Sequence, residues 1–375
     1  MSANPEQLLF ASTAQAFLDK EVSLTRVREL HAAGTSFDRD WWQRAAELGW
    51  ASLLVPEELG GGSVSGNGVA DLALLSEQAG RTVAPGPLHP VSVVLAGLTE
   101  APAGHEALIE SLVSGEKIAT WAVYEPAQGW APTDATLTAT ATSDGFRLDG
   151  VKDRVEAGAE SDVVLVVARS GDTLRQFVVP TDAVGVSIAT QQSLDLVKRY
   201  ARITFDGVTV PQSAAVGTAE QTSALIARQA QIAQVLQCTE TVGILGAVLD
   251  FTIQWAFDRH SFGRPLASYQ ALKHQFADLK IEYETARATT YAAVKAVAND
   301  ATDAGVKASI AKSYVGEHAS DMLQRCVQLH GGIGVTWEHD LHLYLRRATV
   351  NRSLFGTPED HNLAVYAAEA SKAAS

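Results

Sequence analysis

Cysteine is nearly absent from this 375-residue chain, which carries only Cys238 and Cys326. The two are far apart and show no C-x-x-C spacing. Neither a disulfide framework nor a cysteine zinc site is expected, and both read as buried thiols in a reducing compartment. Positive charge is also scarce: 29 Lys and Arg stand against 43 Asp and Glu, a net charge of −14. An acidic surface argues against a nucleic-acid partner, while leaving room for a local basic pocket around a phosphorylated cofactor. No run of about 18 apolar residues is visible, so no membrane-spanning helix is expected. The start, MSANPEQLLF, has no basic stretch ahead of an apolar one. No signal peptide is therefore expected, and the chain reads as cytoplasmic. Histidine lacks a ligand pattern too. His260, His274, His330, His339, His342 and His361 fall at element ends rather than on one helix face, so no metal is expected.

What is present falls into three segments. Residues 1–115 read as an N-terminal α-helical domain. In FDRDWWQRAAELGWASLLVP, Trp41, Ala45, Leu48 and Leu53 keep near a 3.6 period, with Asp38 or Asp40 near the helix start. PEELGGGSVSGNG (56–68) is a loop. Residues 116–215 hold short runs rich in Val, Thr, Ile and aromatics, punctuated by Ser-Asp-Gly, Ser-Gly-Asp and Asp-Gly. They read as a middle antiparallel β-domain, a barrel or sandwich, without helix-length spacers for parallel βαβ units. Residues 219–375 read as four long helices, the last with Thr357 as N-cap and Asp360 one turn in. The fold class is α+β and mostly α: helices, sheet, then a C-terminal four-helix bundle. No internal repeat is visible.

Two stretches carry candidate chemistry. DRHSFGRPLASYQALKHQ (258–275) places Arg259, Ser261, Phe262 and Gln270 around a Gly-Arg-Pro break between helices. Arg259 and Ser261 suit a phosphate, and Phe262 suits an adenine face. The same residues also fit a plain helix–loop–helix with a solvated Arg and a core Phe. QLHGGIGVTWEHDLHLYLRRA (328–348) puts Gly331, Gly332 and Gly334 after a helix, which allows positive φ and close approach to a ligand, or simply caps the helix.

In this order and separation, with GWASLLVPEELGG upstream and a sheet domain between, the chain resembles the acyl-CoA dehydrogenase flavoproteins over nearly its whole length. The resemblance implies FAD and the Cα–Cβ oxidation of an acyl-CoA. In that reaction a carboxylate removes the α-proton, the β-hydride goes to the flavin, and electrons leave through an electron-transfer flavoprotein. It implies that Arg259, Ser261, Phe262, Gln270, Gln328, Gly331, Gly332 and Gly334 hold the adenosine–pyrophosphate end of a neighbouring subunit's FAD.

The chain departs from the family at the reacting end. The usual base position is Phe355 in LFGT, and the alternative one is Ala233 in QIAQ; neither accepts a proton. A positioned base is worth about 10²–10⁴-fold in rate. In the middle domain, a T-E-P-x-x-G-S-D-like stretch reads YEPAQGWAP, with Tyr124 for Thr and Trp130-Ala131 for Ser-Asp. A G-x-K-x-W-I-T-like strand reads GVKDRVEAG, with Arg154 and Glu156 at the ring-contacting positions. Losses fall where this chain would hold a flavin ring, and the groups facing a neighbour's adenosine are kept. The pattern resembles the base-less subunits of heterotetrameric dehydrogenases of actinobacterial steroid side-chain degradation, whose partner is a catalytic paralogue. Two alternatives stand beside it. One is a self-sufficient homotetramer with a displaced base. Its candidate is Glu240, two turns and about 10 Å past Ala233, which also fits a helix-packing polar residue. Glu359 and Asp360 suit helix N-terminal charge, and Glu338 and Asp340 suit loop ordering. The other alternative is a non-enzymatic scaffold or acyl-CoA-binding module.

Overall fold

The computed structural model describes residues 4–374. Six helices come first: α1 (Pro5–Glu21), α2 (Leu24–Ala32), α3 (Arg39–Glu47), α4 (Gly68–Arg81), α5 (Leu88–Glu100) and α6 (Glu106–Val113). Caps fix their starts where short polar side chains allow. Asn4 and Gln7 form a reciprocal capping box on α1, and of the two expected aspartates Asp38 caps α3.

Seven strands follow: β1 (Ala119–Ala122), β2 (Thr138–Ala141), β3 (Gly145–Glu156), β4 (Val163–Ser170), β5 (Thr173–Pro180), β6 (Val186–Gln191) and β7 (Tyr200–Pro211). They form one sheet in the order β1-β4-β2-β3-β7-β6, with β5 also on β4. The expectation of an antiparallel sheet holds for most pairs, but β4 runs parallel to β1, with Ala119 opposite Val163, and to β2, with Thr138 opposite Arg169. A parallel pair needs a long connection, not a helical one. Here the β2–β3 excursion supplies it. Leu148, Val164, Val166, Phe177, Val179, Ile203, Phe205 and Val208 close the core of this segment.

The rest is helical apart from one hairpin: α7 (Ala219–Asp258), β8 (His260–Ser261), β9 (Arg264–Pro265), α8 (Gln270–Ala298), α9 (Ala304–His330), α10 (Leu341–Ser353) and α11 (Pro358–Ala374). The C-terminal segment thus has a fifth helix, α10, among the described residues. The four-helix expectation missed it because α10 buries Arg347 and Asn351 along with Leu and Ala, so its apolar period is broken. Ala304, Ala308, Ala311, Val315, Ala319, Met322 and Cys326 line the buried face of α9, which packs against α8, α10 and α11. Helix α7 is long and apolar enough to cross a bilayer, but its most apolar window is wholly buried within the protein, as in a core helix. Cys238 and Cys326 are free and buried, and burial pushes their thiols up to about 12 and about 11.

The chain forms two compact units. One holds the chain up to Glu29, Ala73–Ala84 and the chain from Gln234 onward; the other holds Leu30–Leu72 and Pro85–Ala233.

Candidate functional site

The break after α7 is a two-residue hairpin. Ser261 pairs with Arg264, and Phe262 and Gly263 form the turn at φ 48° and 80°. Two positive φ values give the turn the twist of a tight β-hairpin. Glycine adopts this at no cost, whereas a bulky residue is strained there. Phe262 is also 97% exposed. A benzyl side chain held in a strained conformation and pointed at solvent gains nothing inside this chain, so it is built for an external face.

The hairpin is braced from below. Leu266 N–H donates to Arg259 O, Tyr269 Oη to Ser261 O at 2.7 Å, and the Arg264 guanidinium lies 3.9 Å from the Tyr269 ring centroid. Arg259 is exposed, and no described residue bonds its guanidinium. Gln270 opens α8 and is exposed. The alternative of a core phenylalanine at 262 is therefore not what the structure holds.

The glycine-rich segment lies next to this hairpin. Helix α9 ends at His330, whose ring stacks on Trp255 at 5.4 Å, and Trp255 O accepts the Arg259 N–H. Gly331 turns the chain at φ 68°; Gly331 and Gly332 are exposed, with open space where a Cβ would project. Gly334 is different: a Cβ there would lie 2.7 Å from Val327 O, so only glycine fits. Gln328 is exposed one turn before. The loop is clamped by Arg28 of α2, which donates to Trp337 O at 2.8 Å and to Asp340 Oδ1 at 2.9 Å. Asp340 thus orders the loop. His330, His339 and His342 are each pushed below the ordinary imidazole range, first by burial. The exposed guanidinium, aromatic face and bare glycine backbone fit the adenosine–pyrophosphate end of FAD.

The two positions expected for a base hold no acid. Ala233 is 2% exposed on α7. Phe355 follows α10 at φ 55°, and its carbonyl accepts from His361 Nε2 at 2.8 Å and Gln234 Nε2 at 3.3 Å. Gly356 comes next at φ 98°; a Cβ there would sit 2.3 Å from His361 Nε2. Thr357 then caps α11, with Asp360 N–H donating to its hydroxyl and Asp360 Oδ2 accepting the Thr357 N–H.

Glu240 is fully engaged. Arg347 donates to its Oε1 and Asn351 to its Oε2, each at 2.8 Å, and Arg347 also reaches Ala84 O. Arg347 is 0% and Glu240 2% exposed. This is a buried ion pair with both carboxylate oxygens in use. Asn351 O and Gln237 Oε1 in turn receive the Lys312 ammonium, which burial pushes down to about 8. Sequence reasoning found none of Arg347, Asn351, Lys312 or Gln237. Polar residues on a buried helix face carry no signal in the one-dimensional pattern.

In the middle segment, Glu125 is buried and accepts from Lys152 Nζ at 2.7 Å, from the Thr136 and Leu137 amides and from the Thr136 hydroxyl. Burial raises its carboxyl, but Lys152 and these hydrogen bonds outweigh burial and hold it below the ordinary value. Glu156 is half-buried beside Lys198 at 3.7 Å, so its charge is partnered.

Known proteins were then compared with this chain. Residues 4–112 match the family model for the acyl-CoA dehydrogenase N-terminal domain and residues 224–368 that for the C-terminal domain. The acyl-CoA dehydrogenase IpdE2 of Mycolicibacterium smegmatis is 30% identical over 95% of this chain and 96% of its own. Its namesake in Mycobacterium tuberculosis is 31% identical over 96% of each. Among solved structures, a variant of the Tcur3481-Tcur3483 steroid ACAD superposes with a TM-score of 0.89 at 28% identity, over 99% of both chains.

Proposed function

The chain belongs to the acyl-CoA dehydrogenase family, and we propose that it serves there as the complementary subunit of a hetero-oligomer. It lends the adenosine–pyrophosphate half of an FAD site to a paralogous chain that carries the base. The observation that carries this reading is the contrast between two places on one chain. The hairpin holds Phe262 strained and 97% exposed, ready for an external aromatic face, while the base positions are Phe355 and Ala233.

Each residue's part follows from its chemistry. Arg259 meets the pyrophosphate, Ser261 and the backbone at Gly331, Gly332 and Gly334 hydrogen-bond it, and Phe262 covers the adenine. Gln270 and Gln328 complete the polar rim. FAD bound there would supply the electron acceptor for α,β-desaturation of an acyl-CoA thioester, with an electron-transfer flavoprotein as the outlet for its electrons. A steroid side-chain CoA ester is the substrate supported by the similarity to a steroid ACAD. The Glu240 carboxylate, held by Arg347 and Asn351, counts against a displaced base.

The test is flavin per chain, from absorbance. The chain is purified alone and then co-expressed with a paralogue that carries the missing carboxylate. The reading expects little flavin alone and one flavin per unlike pair together, lost in Arg259→Ala. One flavin per chain in the protein alone, with acyl-CoA oxidation, overturns it. Flavin content unchanged in Arg259→Ala favours the scaffold.

A further inference from the structure

Strand β3 is bulged after Lys152: its pairing with β7 slips between Lys152 and Val155. A bulge bends the strand and re-aims a side chain. The two displaced residues here, Asp153 and Arg154, are tightly held. Asp153 N–H donates to Tyr124 O at 2.9 Å, and Asp153 Oδ1 accepts from Gln191 Nε2 at 2.7 Å. Arg154 N–H donates to Gln191 Oε1 at 3.0 Å, with Arg154 at φ 50°. Positive φ in a non-glycine residue costs about 1–3 kcal/mol and persists only where the surroundings fix it.

The bulge turns Arg154 onto the segment 124–130. Its guanidinium lies 4.3 Å from the Tyr124 ring centroid, and Nη2 donates to Glu125 O at 3.1 Å and Gln128 O at 2.7 Å. Trp130 packs against Tyr124 at 5.3 Å and Trp121 at 6.5 Å. The buried Glu125–Lys152 pair ties the loop after β1 to β3. The cation lies over the phenol face with the indole packed beside it, and two backbone carbonyls accept from Nη2, while Arg154 Nε is buried without a hydrogen-bond partner.

We propose that Arg154, Tyr124 and Trp130 form a plug that excludes a flavin ring from this chain's own middle domain. The proposal rests on the subunit reading, in which a catalytic chain sets its flavin ring against the equivalent two segments. It goes further by making the exclusion a built feature. A site that had merely lost its ligand would be left with loose side chains, whereas the bulge, the strained backbone and the forked arginine all converge on closure.

The test separates the ring from the rest of the cofactor. Lumiflavin, an isoalloxazine without phosphate or adenosine, is titrated into the full-length chain and followed by quenching of its fluorescence. Wild type is expected to show no saturable quenching. Arg154→Gly with Tyr124→Thr and Trp130→Ser is expected to gain saturable binding. Should the triple variant fail to fold, Arg154→Gly alone decides: it removes the group that covers the Tyr124 face and bonds both carbonyls, relieves the positive φ, and is expected to gain weaker saturable binding together with faster hydrogen exchange at the Asp153 amide. Saturable binding by wild type overturns the plug, as does a folded variant set with no gain. Failure of the subunit reading registers separately, in FAD per chain rather than in lumiflavin binding.

Discussion

Phe355 stands where an acid is expected, and its carbonyl is held by two side chains, His361 and Gln234. His361 Nε2 donates to its carbonyl, so that nitrogen carries a proton. Burial pushes His361 down to about 4 from its ordinary 6.5. Between those values the unfolded chain binds a proton that the folded chain refuses, so stability falls as pH drops through this window. The loss approaches about 3 kcal/mol once pH is below about 4. Urea unfolding at pH 7 and near pH 4 should show it, and His361→Gln should flatten the difference. Glu240→Gln removes the charge that partners the buried Arg347. Leaving one buried charge unpaired costs about 3–5 kcal/mol, so a large fall in Tm is expected without any change in the flavin held per unlike pair. A Glu240 that acted as base would instead cost activity at nearly constant Tm.

At the scale of elements, the hairpin and the glycine-rich loop are held together by side chains outside the motifs. Phe262→Gly relieves a positive φ and should leave Tm unchanged or raise stability by about 1 kcal/mol. It should also weaken the complex's hold on FAD by about tenfold or more, read by flavin release on dilution. Gly334→Ala sets a Cβ against Val327 O and should destabilise by about 1–3 kcal/mol, read by chemical unfolding. Both glycine-rich and R-x-S-F-G stretches were legible in the sequence because their chemistry is local: turn residues, a cation and a ring in fixed order. Helix α10 was not legible, since Arg347 and Asn351 interrupt its apolar face. The parallel β1–β4 pair was equally hidden, because strand order depends on partners distant in sequence.

For the whole molecule, large exposed apolar side chains occur at both motifs and also elsewhere, Val184, Tyr366, Leu363 and Leu9 among them. Phe262, Val335 and Trp337 are 97%, 75% and 50% exposed. Large exposed apolar groups of this kind mark interaction surfaces. The chain alone should bind an apolar fluorescent dye, and adding the catalytic paralogue should lower that signal as flavin is taken up. Retention of the full dye signal in a flavin-loaded complex would contradict the placement of these residues at the shared cofactor.

The sequence by itself determined the family, the order of helices, sheet and helices, and the absence of a carboxylate at residues 233 and 355. Each of these is written in residue identity at fixed spacing. Tertiary structure alone decided what the charged residues of the interior do. Glu240 became the partner of Arg347, Glu125 that of Lys152, and Arg154 turned through a bulge onto Tyr124. These outcomes depend on which groups meet after folding, where burial makes an unpartnered charge costly and selects its partner from elsewhere in the chain.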